Sequence, residues 1–170
     1  EDSSGLVEEP GRTIPVGLVL QDPDSQVISA RVGDDIAFGC ENLAYPREEI
    51  WRRVAAAKEL VGPFVDLDFR TERLSGGQKQ RLALAGVIAM GAGVVLLDEP
   101  TTFLDPANAM RMLELARAQA QAGKTVVVVL HDLMLAGHYS DSMVVMKSGD
   151  IIARGAPKQA LSPKVLALSL

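Results

Sequence analysis

The chain has 170 residues and a mass of 18.1 kDa, enough for one domain with a proper core and tight for two. Apolar residues make up 48% and charged residues 23%, a composition that excludes general disorder. Seventeen Lys and Arg against twenty-two Asp and Glu leave a net charge of −5, which speaks against a broad basic face for nucleic acid.

A single cysteine, Cys40, rules out an internal disulfide framework and fits a reducing compartment. The longest apolar run, Leu82 to Leu97, has sixteen residues, short of the roughly 20 that cross a bilayer. No signal-peptide pattern opens the chain. Composition therefore points to a soluble, single-domain, cytosolic protein.

In chain order, residues 1–14 are polar and read as a weakly ordered lead-in to a domain over 15–170. Val16 to Leu20 (VGLVL) predicts a buried strand, closed by Gln21 and the turn-forming Asp22-Pro23-Asp24. From Pro46 the pattern is helical. Pro46 suits the first helical position, Glu48 and Glu49 suit the first turn, and Ile50, Val54, Ala57 and Val61 recur on one face until Gly62-Pro63. A second helix is predicted from Gln78 to Met90.

Val94 to Leu97 then form an apolar run ending in Asp98-Glu99, as expected of a parallel strand covered on both faces. Asp105 as N-cap, Pro106 at N1 and Gly123 as stop predict a helix over 106–122. Thr125 to Leu130 predicts a buried strand ending at His131-Asp132. Met143–Met146 and Ile151–Ala153 predict a hairpin, and the tail from Pro157 one or two short helices.

Strands alternating with helices give an α/β fold with a mainly parallel sheet. The expected organisation is a helical lobe over 28–80, a core over 93–156 and terminal helices over 157–170. Polar residues at the C-terminal ends of buried parallel strands are the natural place for a site. Three strands deliver them here: Gln21, Asp98-Glu99 and His131-Asp132. A carboxylate in that position can bind magnesium when phosphates supply the other oxygens. A second one beside it can orient or deprotonate water.

Leu74-Ser75-Gly76-Gly77-Gln78 precedes a helix, where glycines let an anion approach and free N–H groups attract phosphate. Taken singly, each element has a bland reading as a cap or a turn. LSGGQKQR, then VVLLDEPT with Asp98 twenty residues after Gln78, then a histidine after the next strand, is a combination that chance does not readily produce.

On these residues the chain resembles the nucleotide-binding subunits of ATP-binding-cassette transporters, over essentially all of 16–160. LSGGQ matches the family signature, VVLLDE the Walker B strand, Thr102-Phe103-Leu104-Asp105 the D-loop, Gln21 the Q-loop glutamine and His131 the switch histidine. Phe103 departs from the small residue usual in the D-loop. Within the family, QDPDSQ (21–26) followed by DDIAFGCENL (34–43) resembles the energy-coupling-factor group, which powers uptake of vitamins or of cobalt and nickel ions.

The resemblance implies an incomplete P-loop NTPase-like fold and an ATP hydrolase using ATP and Mg2+. It implies that Glu99, His131 and Gln21 are catalytic, and that Asp98 with Gln21 positions the magnesium. Ser75, Gly76, Gly77, Gln78 and Asp105 would contact nucleotide. It further implies a second ATPase subunit, a transmembrane coupling subunit docking near 22–40, no nucleic-acid partner, and a place on the cytoplasmic side of the cell membrane.

These ATPases also carry a P-loop, G-x-x-x-x-G-K-[ST], that cradles the phosphates. Gly123-Lys124-Thr125 is a decoy, because Ala118 stands where the first glycine belongs and the triplet ends a helix instead of opening one. A strand–helix–strand unit takes about 30 residues, and twenty precede Gln21. The expectation is therefore the later part of a nucleotide-binding domain, cut or naturally shortened, which does not bind or hydrolyse ATP appreciably alone.

Two other readings stand beside it. One is a non-transport member acting in DNA repair, on chromosomes or in translation. Against chromosome-type members, Gln21 and Leu74 are only 53 positions apart with no sustained heptads between them. The other is a non-catalytic interaction module that keeps the fold for docking.

Overall fold

Three parallel strands form the frame of the protein in a computed structural model that describes residues 14–169. They are β1 (Val16–Val19), β2 (Val94–Asp98) and β3 (Thr125–Val129), in the spatial order β1-β2-β3. The register pairs Val19 with Leu97 and Leu97 with Val128, so the three C-terminal ends emerge at one edge. The predicted lead-in lies largely outside the described residues.

Between β1 and β2 the chain builds α1 (Val32–Asn42), α2 (Arg47–Lys58) and α3 (Gly76–Ala89). After β2 come α4 (Pro106–Gln121), β3 and α5 (Leu133–Tyr139). The hairpin β4 (Met143–Lys147) and β5 (Asp150–Gly155) follows, then α6 (Pro157–Ala160) and α7 (Pro163–Ser169). Ser148 and Gly149 turn the hairpin with positive φ at both positions, as a two-residue loop requires.

The α2 face packs as its spacing predicts, with Ile50, Val54 and Ala57 buried together with Val61 just beyond the helix. Pro46 is the N-cap and not the first helical residue. Helix α3 starts at Gly76, two residues before the expected point, because Ser75 caps it.

Helix α3 separates two apolar clusters. Leu82, Ala85 and Ala89 face a lobe core with Val32, Ile36, Cys40 and Val54. Leu84 and Val87 face the sheet core with Val19, Val95, Leu97 and Met112. The two sets recur at helical spacing on different sides of one helix. Gly17 lets α3 come close to β1, since a Cβ there would lie 2.0 Å from Val87 Cγ1.

The sheet differs from the expectation in one respect. Its strands read as buried on both faces, yet among the described residues helices cover one face only. Val16 and Leu18 on β1 and Val127 and Val129 on β3 lie on the uncovered side, the last two each 50% exposed. A β-branched run signals strand, but it does not say how many layers pack on it.

Candidate active site at the strand ends

Because the strands run parallel and in register, the residues that follow them meet. Gln21 Nε2 donates to Glu99 Oε2 at 3.0 Å, and Thr102 Oγ1 donates to the same oxygen at 3.2 Å. His131 Nε2 lies 2.5 Å from Glu99 Oε1. A carboxylate oxygen can only accept, so that ring nitrogen carries the hydrogen. The Glu99 side chain is 20% exposed and that of His131 81%, so an inner carboxylate is capped by a solvent-exposed imidazole.

Backbone geometry fixes the centre. Glu99 has φ of 45°, a left-handed conformation uncommon outside glycine. Its N–H donates to Val129 O at 3.2 Å, carrying the β2–β3 ladder one residue past β2. Such strain persists where surrounding bonds hold it and clusters at functional positions.

Asp98 stands next to Glu99 at the exposed end of β2, and its carboxylate has no hydrogen bond or ion pair among the described residues. The Oε1 of Gln21 is likewise unused, because Gln21 bonds through Nε2. The Asp98 carboxylate at the end of β2 and the Gln21 Oε1 just past β1 are hard oxygen donors on neighbouring strands, which suits magnesium, an ion that takes few protein ligands and keeps phosphate or water for the rest. Among the described residues no group of three or more His, Cys, Asp or Glu could hold a metal unaided.

The serine-diglycine turn forms a separate corner. Ser75 Oγ accepts from the Gln78 N–H at 3.3 Å and Gln78 Oε1 accepts from the Ser75 N–H at 2.8 Å, a reciprocal capping box. Gly76 faces open space, whereas a Cβ on Gly77 would come 3.0 Å from Asn108 Cγ. Asn108 in turn joins Asp105, its N–H donating to Oδ1 at 3.0 Å and its Nδ2 to Oδ2 at 2.6 Å. The Asn108 amide group, then its backbone N–H, hold the Asp105 carboxyl below the ordinary carboxylate range.

Arg81 completes this corner. Its Nη1 donates to Asn108 Oδ1 at 2.9 Å and its Nε to Val61 O at 3.0 Å. Burial, then the nearby charge of Arg111, pull its pKa down. Arg81 is thus a buried brace between Asn108 and Val61. Lys79 pairs with Asp24 and Arg70 with Glu72.

The structure therefore gathers Gln21, Glu99 and His131, puts Asp98 beside them, and sets Ser75–Gln78 with Asp105 around Asn108. Among the described residues no side-chain hydrogen bond joins the two corners. Sequence reasoning placed Thr102 in the D-loop match but gave it no role at Glu99. It also missed Gln26 and Gln80, whose partners lie on other elements.

The ABC transporter family model matches residues 8–102, more than half of the chain. The chain belongs to that family. An energy-coupling factor transporter ATP-binding protein, EcfA, of Methanocaldococcus jannaschii is 42% identical over 147 residues, covering 86% of this chain and 53% of its own length. EcfA2 of Methanospirillum hungatei is 41% identical over 151 residues, covering 89% and 38% respectively.

Among solved structures, cbiO1 from Clostridium perfringens, described as part of the ABC transporter complex cbiONQ, superposes with a TM-score of 0.79 at 39% identity. That match covers 89% of this chain and 61% of the other. The cassette MJ0796, a dimer bound to ADP and Pi, superposes at 0.70 with 24% identity, a likeness of fold. The α/β fold with its parallel sheet is thus that of the ABC ATPases. The chain spans about half the length of the curated relatives it matches.

Proposed function

We propose that this chain serves as part of the ATP-hydrolysing subunit of an energy-coupling-factor importer that takes up a vitamin or a metal ion such as cobalt or nickel. The observation that carries the reading is the meeting of Gln21 and His131 on one carboxylate, Glu99, from 78 and 32 positions away. Parallel strand ends are where nucleotide sites sit, and the names of the relatives support the transport role.

In this reading Glu99 accepts the proton of the attacking water, and Thr102 holds its Oε2. His131 swings off Oε1 to donate to the terminal phosphate of ATP, which frees that oxygen for the water. Asp98 and the Oε1 of Gln21 hold Mg2+, which neutralises charge on the phosphates when bound. The work of these residues is positioning and charge stabilisation.

Ser75, Gly76, Gly77 and Gln78 face a second ATPase subunit and contact the triphosphate held there, with Asp105 ordering the adjoining turn. A transmembrane coupling subunit docks near 22–40, which places the protein at the cytoplasmic side of the membrane. No phosphate cradle lies within these 170 residues, so Glu99 and His131 act where a cradle is supplied to the strand ends, and Ser75–Gln78 act in trans.

A mixed ATPase assay tests this. The partner is an intact energy-coupling-factor ATPase subunit whose own signature serine has been replaced. Adding this chain is expected to restore turnover, and Ser75→Ala to abolish the gain. A gain that does not depend on Ser75 contradicts the proposal and favours a docking-only module.

A further inference from the structure

The motif Gln21-Asp22-Pro23-Asp24-Ser25-Gln26 has its first glutamine on Glu99, but its last is not part of that cluster. Among the described residues β1 is an edge strand, and Pro15 O and Val19 face β2. The Leu18 carbonyl and Leu20 N–H therefore point to the open edge, as the pair that a further parallel strand would bond. The Gln26 side chain takes both. Leu20 N–H donates to its Oε1 at 2.6 Å, and its Nε2 donates to Leu18 O at 3.0 Å. A carboxamide can do this because it carries an acceptor and a donor side by side, as a peptide unit does. A flipped amide would set N–H against N–H and C=O against C=O, so the partners fix its orientation.

The loop between the two glutamines is built to return Gln26 to that edge. Asp24 N–H donates to Asp22 Oδ1 at 3.0 Å, Ser25 Oγ to Asp22 O at 2.7 Å, and Gln26 N–H to Pro23 O at 3.2 Å. From the lobe side, buried Gln80 on α3 donates through Nε2 to Leu20 O at 3.2 Å, while its Oε1 has no partner. Leu20 is thereby held at its N–H by Gln26 and at its C=O by Gln80. The next residue is Gln21.

We propose that Gln26 is a positioning residue for the site: its carboxamide clamps Leu20 to the edge of β1 and so aims the Gln21 amide at Glu99. The importance of that aim rests on the reading of Gln21 as a site residue, but the clamp itself does not. A free loop would let Gln21 sample many rotamers. The clamped one presents Nε2 to Glu99 and leaves Oε1 for a cation.

The test is NMR on this protein without nucleotide, so its outcome is separate from that of the ATPase assay. In Gln26→Ala the Leu20 amide is expected to exchange with solvent about tenfold faster, and the Gln21 side-chain amide signals to move to those of a solvated glutamine. The amides of Leu96 and Leu97 within β2 should keep their rates. Gln26→Glu retains an acceptor for Leu20 and loses the donor for Leu18, so it should restore part of the Leu20 protection. It also decides the matter if the alanine variant does not fold. Unchanged Gln21 side-chain signals or an unchanged Leu20 rate in Gln26→Ala would overturn the proposal, as would faster Leu20 exchange with unmoved Gln21 signals in Gln26→Glu.

Discussion

The two apolar clusters that meet along α3 are built differently. The lobe core is closed on all sides: Val32, Ile36, Cys40, Val54 and Val61 have no exposed surface. The sheet core is closed on one side, with Val19, Val95 and Leu97 buried while Val16, Leu18, Val127 and Val129 face outward. The lobe that carries the signature turn thus has a core shut off from solvent, though it shares α3 with the sheet. The sheet that carries the carboxylates is a layer with a face to spare. Stability should therefore concentrate in the lobe, while the strand-end side chains Gln21, Asp98, Glu99 and His131 sit on the part less constrained by packing.

That contrast can be broken most directly by trimming each core. Ile36→Ala should cost about 2–5 kcal/mol in urea unfolding, from lost burial plus a cavity. Val127→Ala on the open face should cost about 0.5 kcal/mol or less. Equal losses would mean that the open face is covered in solution.

The seam between the two cores is next. Gly17→Ala drives a methyl into Val87, and should cost about 1–3 kcal/mol. Combining it with Val87→Ala should recover part of that loss, a non-additivity expected of residues in contact.

A smaller effect is expected at the second corner. Asp105→Ala removes the cap of α4 and should lower Tm by about 2–4 °C near neutral pH. The folded-state pKa of Asp105 lies below its ordinary 3.8, so its stabilisation is complete above that value. It is lost as pH falls through the folded pKa. The Tm difference between wild type and variant should therefore shrink below about pH 3.8, and a gap constant down to pH 2 would show that the carboxylate is not the source.

The smallest effect is chemical. Burial pushes the Cys40 thiol up, and the side chain has no exposed surface. Alkylation at pH 8 should be negligible in the folded protein and should appear only with unfolding. Fast labelling of folded protein would show that the lobe opens more readily than its packing indicates.

Much of the site was legible because its signals are local. Asp98-Glu99 and His131 follow apolar runs, and parallel strands must bring such ends together. Ser75 and Asp105 announce their caps within three residues. Helix α1 falls inside the 28–80 stretch that reads as helical, but its own bounds were not legible, for a physical reason. It contains Gly33 and Gly39, which weaken helix propensity, and its first N–H groups are satisfied from afar, Val32 by Phe69 O and Gly33 by Leu67 O. Arg31 at its N-cap makes no side-chain capping bond, its guanidinium pairing with Asp68 instead. α5 has only seven residues, too few for a periodic pattern. The clamp by Gln26 and the buried contact of Gln80 are likewise tertiary, and spacing alone does not encode them.

The central claim is that these residues supply the reacting end of a triphosphate site and a signature acting in trans, without the phosphate cradle between them. Micromolar affinity requires about −8 kcal/mol, whereas charge at one helix N-terminus contributes about 0.3–1 kcal/mol. Calorimetric titration of Mg-ATP into the 170-residue protein should therefore give no micromolar binding. A micromolar isotherm would contradict the account, because it would place a complete pocket within this chain.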